Sequence, residues 1–299
     1  MEKVSVSVII PTICSKTRAV SLTRAIDSVF LSVNLDIQVI VVVNGEKYDL
    51  EAIKALEGDS RLTVIMLTEG NVSLARYEGL IKSTGEFFCF LDDDDELLPN
   101  GLTLRANFLK NNNAVDVVVT NGFVSNAGED IPLVLSDKAE QINANKERAF
   151  LEQNWFASCA PLFRASSINP EIFKIDLKYF EWTYIFFLLI SHNINIYYIS
   201  ALGYKKYEDN QGSVSKSSEY FLAYPDFLLK LYDLDLSLNV KKNVRKKYLT
   251  ALNALANHEL SFGLLRRAWG THFECITHGG WRFLPFTRHL VVALVRRLV

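Results

Sequence analysis

No stretch of this chain reaches the roughly eighteen apolar residues that a membrane-spanning helix needs. The best late candidate, Leu290–Val295, is far shorter. At the start, the apolar run VSVSVII follows Glu2 and Lys3 with no small-residue cleavage site, so the pattern of a secretory signal is missing. These absences together lead us to expect a cytoplasmic protein. Cysteine is sparse: Cys14, Cys89, Cys159 and Cys275 lie far apart and form no CxxC pair. That spacing excludes a zinc ribbon and fits buried free thiols in a reducing compartment. The histidines, His192, His258, His272, His278 and His289, have no metal-ligand spacing either. Internal repeats and low-complexity segments are also missing. What remains is one large α/β domain, or a domain of about 200 residues with an appendage.

Bulk and pattern are what the chain does have. Its 299 residues are 49% hydrophobic and 22% charged, enough for a sizeable core and too apolar for disorder. The net charge of −2 conceals an uneven distribution, because residues 241–299 carry eleven Lys/Arg against Glu259 and Glu274. A basic tail on an acidic body suits an anionic partner, either a membrane surface or nucleic acid. The basic residues lack any nucleic-acid-binding motif, so nucleic acid is not expected.

Through the first 120 residues, β-rich runs alternate with helical patterns. Val4–Ile10 predicts a strand ended by Pro11, and Val20–Val33 carries a helical period. Ile37–Val43 is a β-branched run stopped by the turn signal Asn44-Gly45. A helix at Leu50–Leu56, a strand at Leu62–Leu67 and a helix at Val72–Ile81 follow. Next come strand Phe87–Leu91, a helix near Leu102–Leu109 and strand Val115–Thr120. Continuous apolar strands separated by helices indicate a mostly parallel sheet covered on both faces. Further on, the pattern predicts an aromatic-rich helix at Phe180–Ile190, a strand at Ile194–Ile199 and a polar, mobile loop over 203–218. From about Tyr220 the chain reads as helical.

The most informative feature is Phe87-Phe88-Cys89-Phe90-Leu91 followed by Asp92-Asp93-Asp94-Asp95-Glu96. Five consecutive carboxylates leaving a buried strand repel one another and are costly unless a cation neutralises them. Oxygen ligands suit Mg²⁺ or Mn²⁺, and strand carboxyl ends are where ligands bind in open α/β sheets. In extended chain, Asp92 and Asp94 share one face and Asp93 and Asp95 the other. One pair would face a metal–diphosphate while the other caps the helix after Pro99.

The order SVIIPT, VIVVVNG and then ARYEGL…STGEFFCFLDDDDELLP resembles the family-2 glycosyltransferases of GT-A fold, over roughly residues 4–215. The resemblance implies a GT-A-type doubly wound mixed sheet flanked by helices, with a helical C-terminal extension. It implies a catalytic domain over 1–218, with a nucleotide-sugar half at 1–121 and an acceptor half at 122–218, followed by a basic helical region at 219–299. Pro11 and Thr12 match the motif bordering the nucleoside base, and Arg76 and Gly79 match the helix before the DXD strand. Asp92 and Asp94 match the DXD itself: both are assigned to a divalent cation, Asp92 also to the nucleotide-sugar, and Asp93 stands beside them on the nucleotide-sugar.

Of the positions that depart from the family's pattern, among them Tyr77 where relatives often carry Asn, two bear directly on the chemistry. Where relatives end the second strand in a base-reading aspartate, this chain has Asn44, whose amide offers both a donor and an acceptor. UDP remains the favoured nucleotide. The family's general base belongs to an acidic pair at the start of a later helix. Here Glu181 is the one carboxylate in Tyr179–Tyr184, with Trp182 in the second position. A carboxylate among Phe180, Trp182 and Tyr184 is partly desolvated, which suits a base. Asp176 is the fallback, and Trp182 and Tyr184 are candidates for stacking on an acceptor sugar. Lys205 and Lys206 are candidates for phosphate.

In the tail, residues 281–299 combine Trp281, Phe283, Leu284 and Phe286 with Arg282, Arg288, Arg296 and Arg297, a pattern that suits an interfacial helix on an anionic leaflet. The expected activity is therefore inverting sugar transfer from a nucleotide-diphosphate donor to a glycan or lipid-linked acceptor in cell-surface polysaccharide biosynthesis, peripheral on the inner face of the cytoplasmic membrane. Two alternatives stand beside it. One is a non-catalytic nucleotide-sugar-binding or assembly subunit. The other is a Mg²⁺-dependent nucleotidyltransferase, disfavoured because Pro11–Arg18 contains no glycine for a triphosphate loop.

Overall fold

The structure is a computed structural model that describes residues 3–135, 138–208 and 218–298. The chain divides into two compact units, residues 1–211 and 212–299.

The first unit is built on a mixed sheet of nine strands among the described residues. Strand β1 (Val4–Thr12) lies between β2 (Leu35–Asn44) and β4 (Phe87–Phe90), parallel to both, and β3 (Leu62–Leu67) extends the parallel half beyond β2. Direction changes at β8 (Pro161–Arg164), antiparallel to β4 and to β6 (Val117–Asn126). Strand β9 (Ile196–Tyr207) runs parallel to β6, and short β5 (Glu96–Leu97) closes that edge against it. β7 (Glu129–Pro132) forms a hairpin with β6, turned by Ala127 and Gly128, both at positive φ. The expected division at 121/122 thus falls inside β6. Residues 203–207, expected in a mobile loop, belong to β9, where Tyr204 is buried against Gly122. Of that loop, 209–217 lies outside the described residues.

Helices α1 (Ala19–Val29), α2 (Leu50–Glu57), α3 (Val72–Ile81) and α4 (Gly101–Asn111) link the strands. Asp49 caps α2 through the amides of Glu51 and Ala52, and Asn71 caps α3 through Leu74 N–H, so local chemistry sets both starts. Gly79 lets α3 approach the sheet closely. A Cβ there would lie 3.0 Å from Val42 Cγ2 and closer still to Ile9. β4 is buried along its whole length, and its Phe88 stacks on Phe163 at 4.9 Å while Phe90 meets Phe173 at 4.8 Å. Each such ring buried contributes roughly 1.5–3 kcal/mol. Further along, α5 (Ala139–Ala144), α6 (Lys146–Glu152) and α7 (Glu181–Ser191) complete the unit.

The second unit is helical: α8 (Ser218–Tyr232), α9 (Leu238–Ser261), α10 (Leu265–Thr277) and α11 (Thr287–Leu298). Ala256, Leu265, Ala268, Phe286 and Leu290 form a small core of their own. Phe286 and Leu290 are therefore turned into the bundle, whereas Trp281, Val291, Val292 and Val295 are exposed. The apolar stripe expected on one face of 281–299 is split between these two surroundings. No described helix is long and apolar enough to cross a membrane.

Candidate active site

Parallel pairing of β1 with β4 brings the carboxyl ends of these two interior strands side by side. Leu91 N–H still donates to Ile9 C=O at 3.0 Å, so Asp92 emerges beside the loop that follows Thr12. The acidic run then turns, with Asp95 N–H donating to Asp92 C=O at 3.1 Å. It is not the extended segment expected. Burial nevertheless alternates, because Asp93 and Asp95 point inward while Asp92 and Asp94 stay partly open.

Neither inward carboxylate caps the next helix, contrary to expectation: α4 follows Asn100, which is left-handed (φ 61°) and makes no side-chain cap. Asp93 instead accepts from Thr12 Oγ1 at 2.6 Å and from Arg18 Nη1 at 3.1 Å. Asp95 accepts from Tyr207 N–H at 3.1 Å. Burial pushes Asp93 up to about 6, against the opposing pull of Thr12 and Arg18. It pushes Asp95 well above the ordinary carboxylate range, helped by the charges of Asp92 and Asp94. Thr12, placed from the sequence beside the base, uses its hydroxyl to hold Asp93 and to accept Cys14 N–H. Pro11 is buried in β1.

The outward pair is gripped by arginines. Asp92 accepts from Arg76 Nη2 at 3.1 Å and from Ser158 Oγ at 2.6 Å. Asp94 accepts from Arg18 Nη1 at 2.6 Å, while its carbonyl accepts from Arg24 Nη2 at 2.8 Å. Arg76 is buried, and its other terminal nitrogen donates to Glu181 at 3.1 Å. Ser73, one turn earlier on α3, donates to Glu181 at 2.9 Å. Burial pulls the Arg76 guanidinium down, but the carboxylates of Asp92 and Glu181 outweigh it and hold it above its ordinary value. Glu181 is the first residue of α7, entered through a left-handed Phe180 (φ 62°). Its surroundings are thus Arg76 and Ser73 as much as the expected aromatics.

Trp182 packs on Phe90 at 5.8 Å and Phe156 at 6.1 Å, with Arg76 over its ring at 5.3 Å. Tyr184 is half-buried one turn into α7. Asn44 Oδ1 accepts Asn71 N–H at 2.6 Å, so its carbonyl ties β2 to the entrance of α3 and its NH₂ keeps the reading capacity. Lys205 pairs with Asp130 at 2.8 Å.

Sequence reasoning missed Arg18, Arg24, Ser73 and Ser158. Ser73 was findable, since it precedes Arg76 by three residues on one helix face. The acidic run required cations nearby, and the helix after the neighbouring strand carries Arg18 at its start and Arg24 in its middle. Nothing local marks Ser158.

Among the described residues, no three His, Cys, Asp or Glu side chains converge as a metal cage. Asp92 and Asp94 do offer hard oxygen donors that are partly open. That set fits Mg²⁺ or Mn²⁺ when a diphosphate and water complete the shell.

Residues 7–168 match the model of glycosyl transferase family 2, more than half of the chain. The chain belongs to that family. Its fold is similar to solved structures: the crystal structure of S. aureus TarS 1-349 in complex with UDP-GlcNAc aligns with a TM-score of 0.58 at 17% identity, covering 83% of this chain and 72% of that one. The same TarS fragment with UDP aligns at a TM-score of 0.53 and 16% identity, over 83% and 71%. In sequence, this family-2 chain is 29% identical over 271 residues to the poly(ribitol-phosphate) beta-N-acetylglucosaminyltransferase TarP of Staphylococcus aureus, covering 83% of this chain and 79% of TarP. An uncharacterized glycosyltransferase of Rickettsia bellii is 32% identical over 93 residues, 31% of this chain and 14% of that protein. Membership makes the protein a glycosyltransferase and displaces the nucleotidyltransferase alternative.

Proposed function

We propose that this glycosyltransferase moves a sugar, with inversion, from a UDP-sugar to a hydroxyl of a cell-surface polymer or lipid-linked glycan. UDP-N-acetylglucosamine is the first donor to try, because TarS was crystallised with it and TarP carries N-acetylglucosaminyl transfer in its name. A polyol-phosphate polymer is the first acceptor to try for the same reason.

The observation that supports this most is the sharing of Arg76 by Asp92 and Glu181, which puts the donor-side carboxylates and the candidate base within one guanidinium of each other. Asp94 and Asp92 would hold Mn²⁺ or Mg²⁺, which supplies charge neutralisation for the departing diphosphate. Glu181 would take the acceptor hydroxyl proton as that oxygen bonds to the anomeric carbon and the bond from that carbon to the diphosphate breaks. Each Glu181 oxygen keeps a lone pair beyond those given to Ser73 and Arg76. Asn44, Pro11 and Thr12 would border the base, Asp93 would act on the nucleotide through Thr12 and Arg18, and Trp182 and Tyr184 would flank the acceptor. Trp281, Val291, Val292 and Val295 with Arg282, Arg288 and Arg296 would meet an anionic membrane surface.

Calorimetric titration of nucleoside diphosphates with and without Mn²⁺ tests the donor side. UDP binding that needs Mn²⁺ in wild type, and loses that dependence in Asp94→Ala, is expected. Unchanged affinity in the variant would remove Asp94 from the metal. On the acceptor side, Glu181→Gln should keep UDP affinity and lower transfer by roughly 10²–10⁴-fold. Absence of binding of every nucleotide would favour a non-catalytic assembly subunit.

A further inference from the structure

Arg18 enters the steps above only as a partner of Asp93, yet it also grips Asp94. It stands at the end of the loop after β1, where its N–H donates to Ser15 C=O at 2.9 Å and its own carbonyl accepts Leu22 N–H at 2.9 Å. The backbone is thus pinned at both ends. The side chain is not enclosed, being 31% exposed, and its Nη1 lies 2.6 Å from Asp94 and 3.1 Å from Asp93. Arg24 behaves differently. It holds the Asp94 carbonyl at 2.8 Å, stacks on Tyr207 at 3.9 Å and approaches Glu96 at 3.7 Å. Arg24 therefore fixes the turn itself, while Arg18 engages only carboxylates.

We infer that Arg18 is an exchangeable counter-cation of the donor site: it neutralises Asp94 while the nucleotide is absent and transfers its hydrogen bonds to the diphosphate when metal and nucleotide arrive. This rests on the metal–nucleotide reading proposed above. A guanidinium and a divalent cation compete for the Asp94 carboxylate, because like charges brought close together repel in a partly desolvated site. Metal alone displaces Arg18 from Asp94 and leaves it with Asp93 as its one carboxylate partner. Metal with a nucleoside diphosphate supplies phosphate oxygens, which the planar guanidinium fork matches. Asp93 keeps its bond from Thr12 throughout and serves as the neighbouring anchor from which the side chain swings. The consequence is positive coupling between metal and nucleotide in addition to that from direct metal–diphosphate contact, and reciprocity requires it to appear in both titrations.

The test is Mn²⁺ binding followed by electron paramagnetic resonance on the full chain, with and without UDP, alongside UDP titration at saturating Mn²⁺. Thermal unfolding checks that the variants fold. Arg18→Gln is expected to bind Mn²⁺ alone about tenfold more tightly and UDP about tenfold more weakly, so that the coupling falls. Arg18→Lys keeps the charge and loses the fork; it should hold the wild-type Mn²⁺ affinity and bind UDP more weakly. A merely structural clasp would move both affinities down or neither, so an unchanged or weakened Mn²⁺ affinity in Arg18→Gln overturns the inference. A Lys variant that matches Gln in Mn²⁺ affinity also overturns it. If Mn²⁺ binds no form, with or without UDP, the metal reading falls and takes this inference with it.

Discussion

Asp92 and Glu181 sit on the two terminal nitrogens of one buried guanidinium, each 3.1 Å from Arg76. One residue belongs to the turn after β4 and the other opens α7, so a single side chain of α3 joins the two halves of the site. Removing that cation leaves two carboxylates facing each other in a partly desolvated space. Arg76→Met should destabilise the protein by about 3–5 kcal/mol in urea unfolding, and adding Glu181→Gln should recover part of the loss. Equal stability of the single variant and wild type would mean that the pair is solvated.

Asp93 titrates where few carboxylates do. Its folded value of about 6 exceeds the ordinary 3.8, so folding favours its protonated form. The stability it contributes is fully present below about pH 4 and is lost as pH rises through about 6. Asp93→Asn should therefore gain on wild type between pH 4 and 7 by on the order of 2–3 kcal/mol. Parallel pH–stability curves from chemical denaturation would refute that.

Gly79 is a matter of space. A methyl group there would press on Ile9 and Val42 across the α3–sheet contact. Gly79→Ala should cost roughly 1–3 kcal/mol, read as a lower Tm, and should disturb Arg76 on the same helix. A Tm equal to wild type would show that α3 can retreat at no cost.

The exposed basic surface of the second unit can be tested without unfolding it. Truncating 281–299 would remove Phe286 and Leu290 from their core, so charge reversal is the cleaner change. Arg288→Glu with Arg296→Glu should reduce co-sedimentation with vesicles rich in anionic lipid, on the order of tenfold. Sedimentation equal to wild type would count against a membrane partner.

Much of the fold was legible because its signals are local. Continuous β-branched runs predicted β1 to β3, and helix α3 runs over Val72–Ile81 as its period requires. The acidic run stood out because carboxylates after a buried strand demand neutralisation. The errors share a cause. Gly203–Tyr207 looks polar and loop-like, yet β6 offers it a ladder that no local pattern reveals.

Sequence by itself determined the residue types of the candidate site and the order of the elements that carry them. It could not determine how those groups pair. Thr12 with Asp93, Ser158 with Asp92, Ser73 with Glu181 and Asn44 with Asn71 are all joined across long separations, and each pairing depends on which strands lie side by side. Alternation indicated that two aspartates face one way and two the other. Only the tertiary structure decided that the inward pair is held by Thr12, Arg18 and Tyr207 rather than by a helix start, because desolvated carboxylates take the donors that the packed sheet edge supplies.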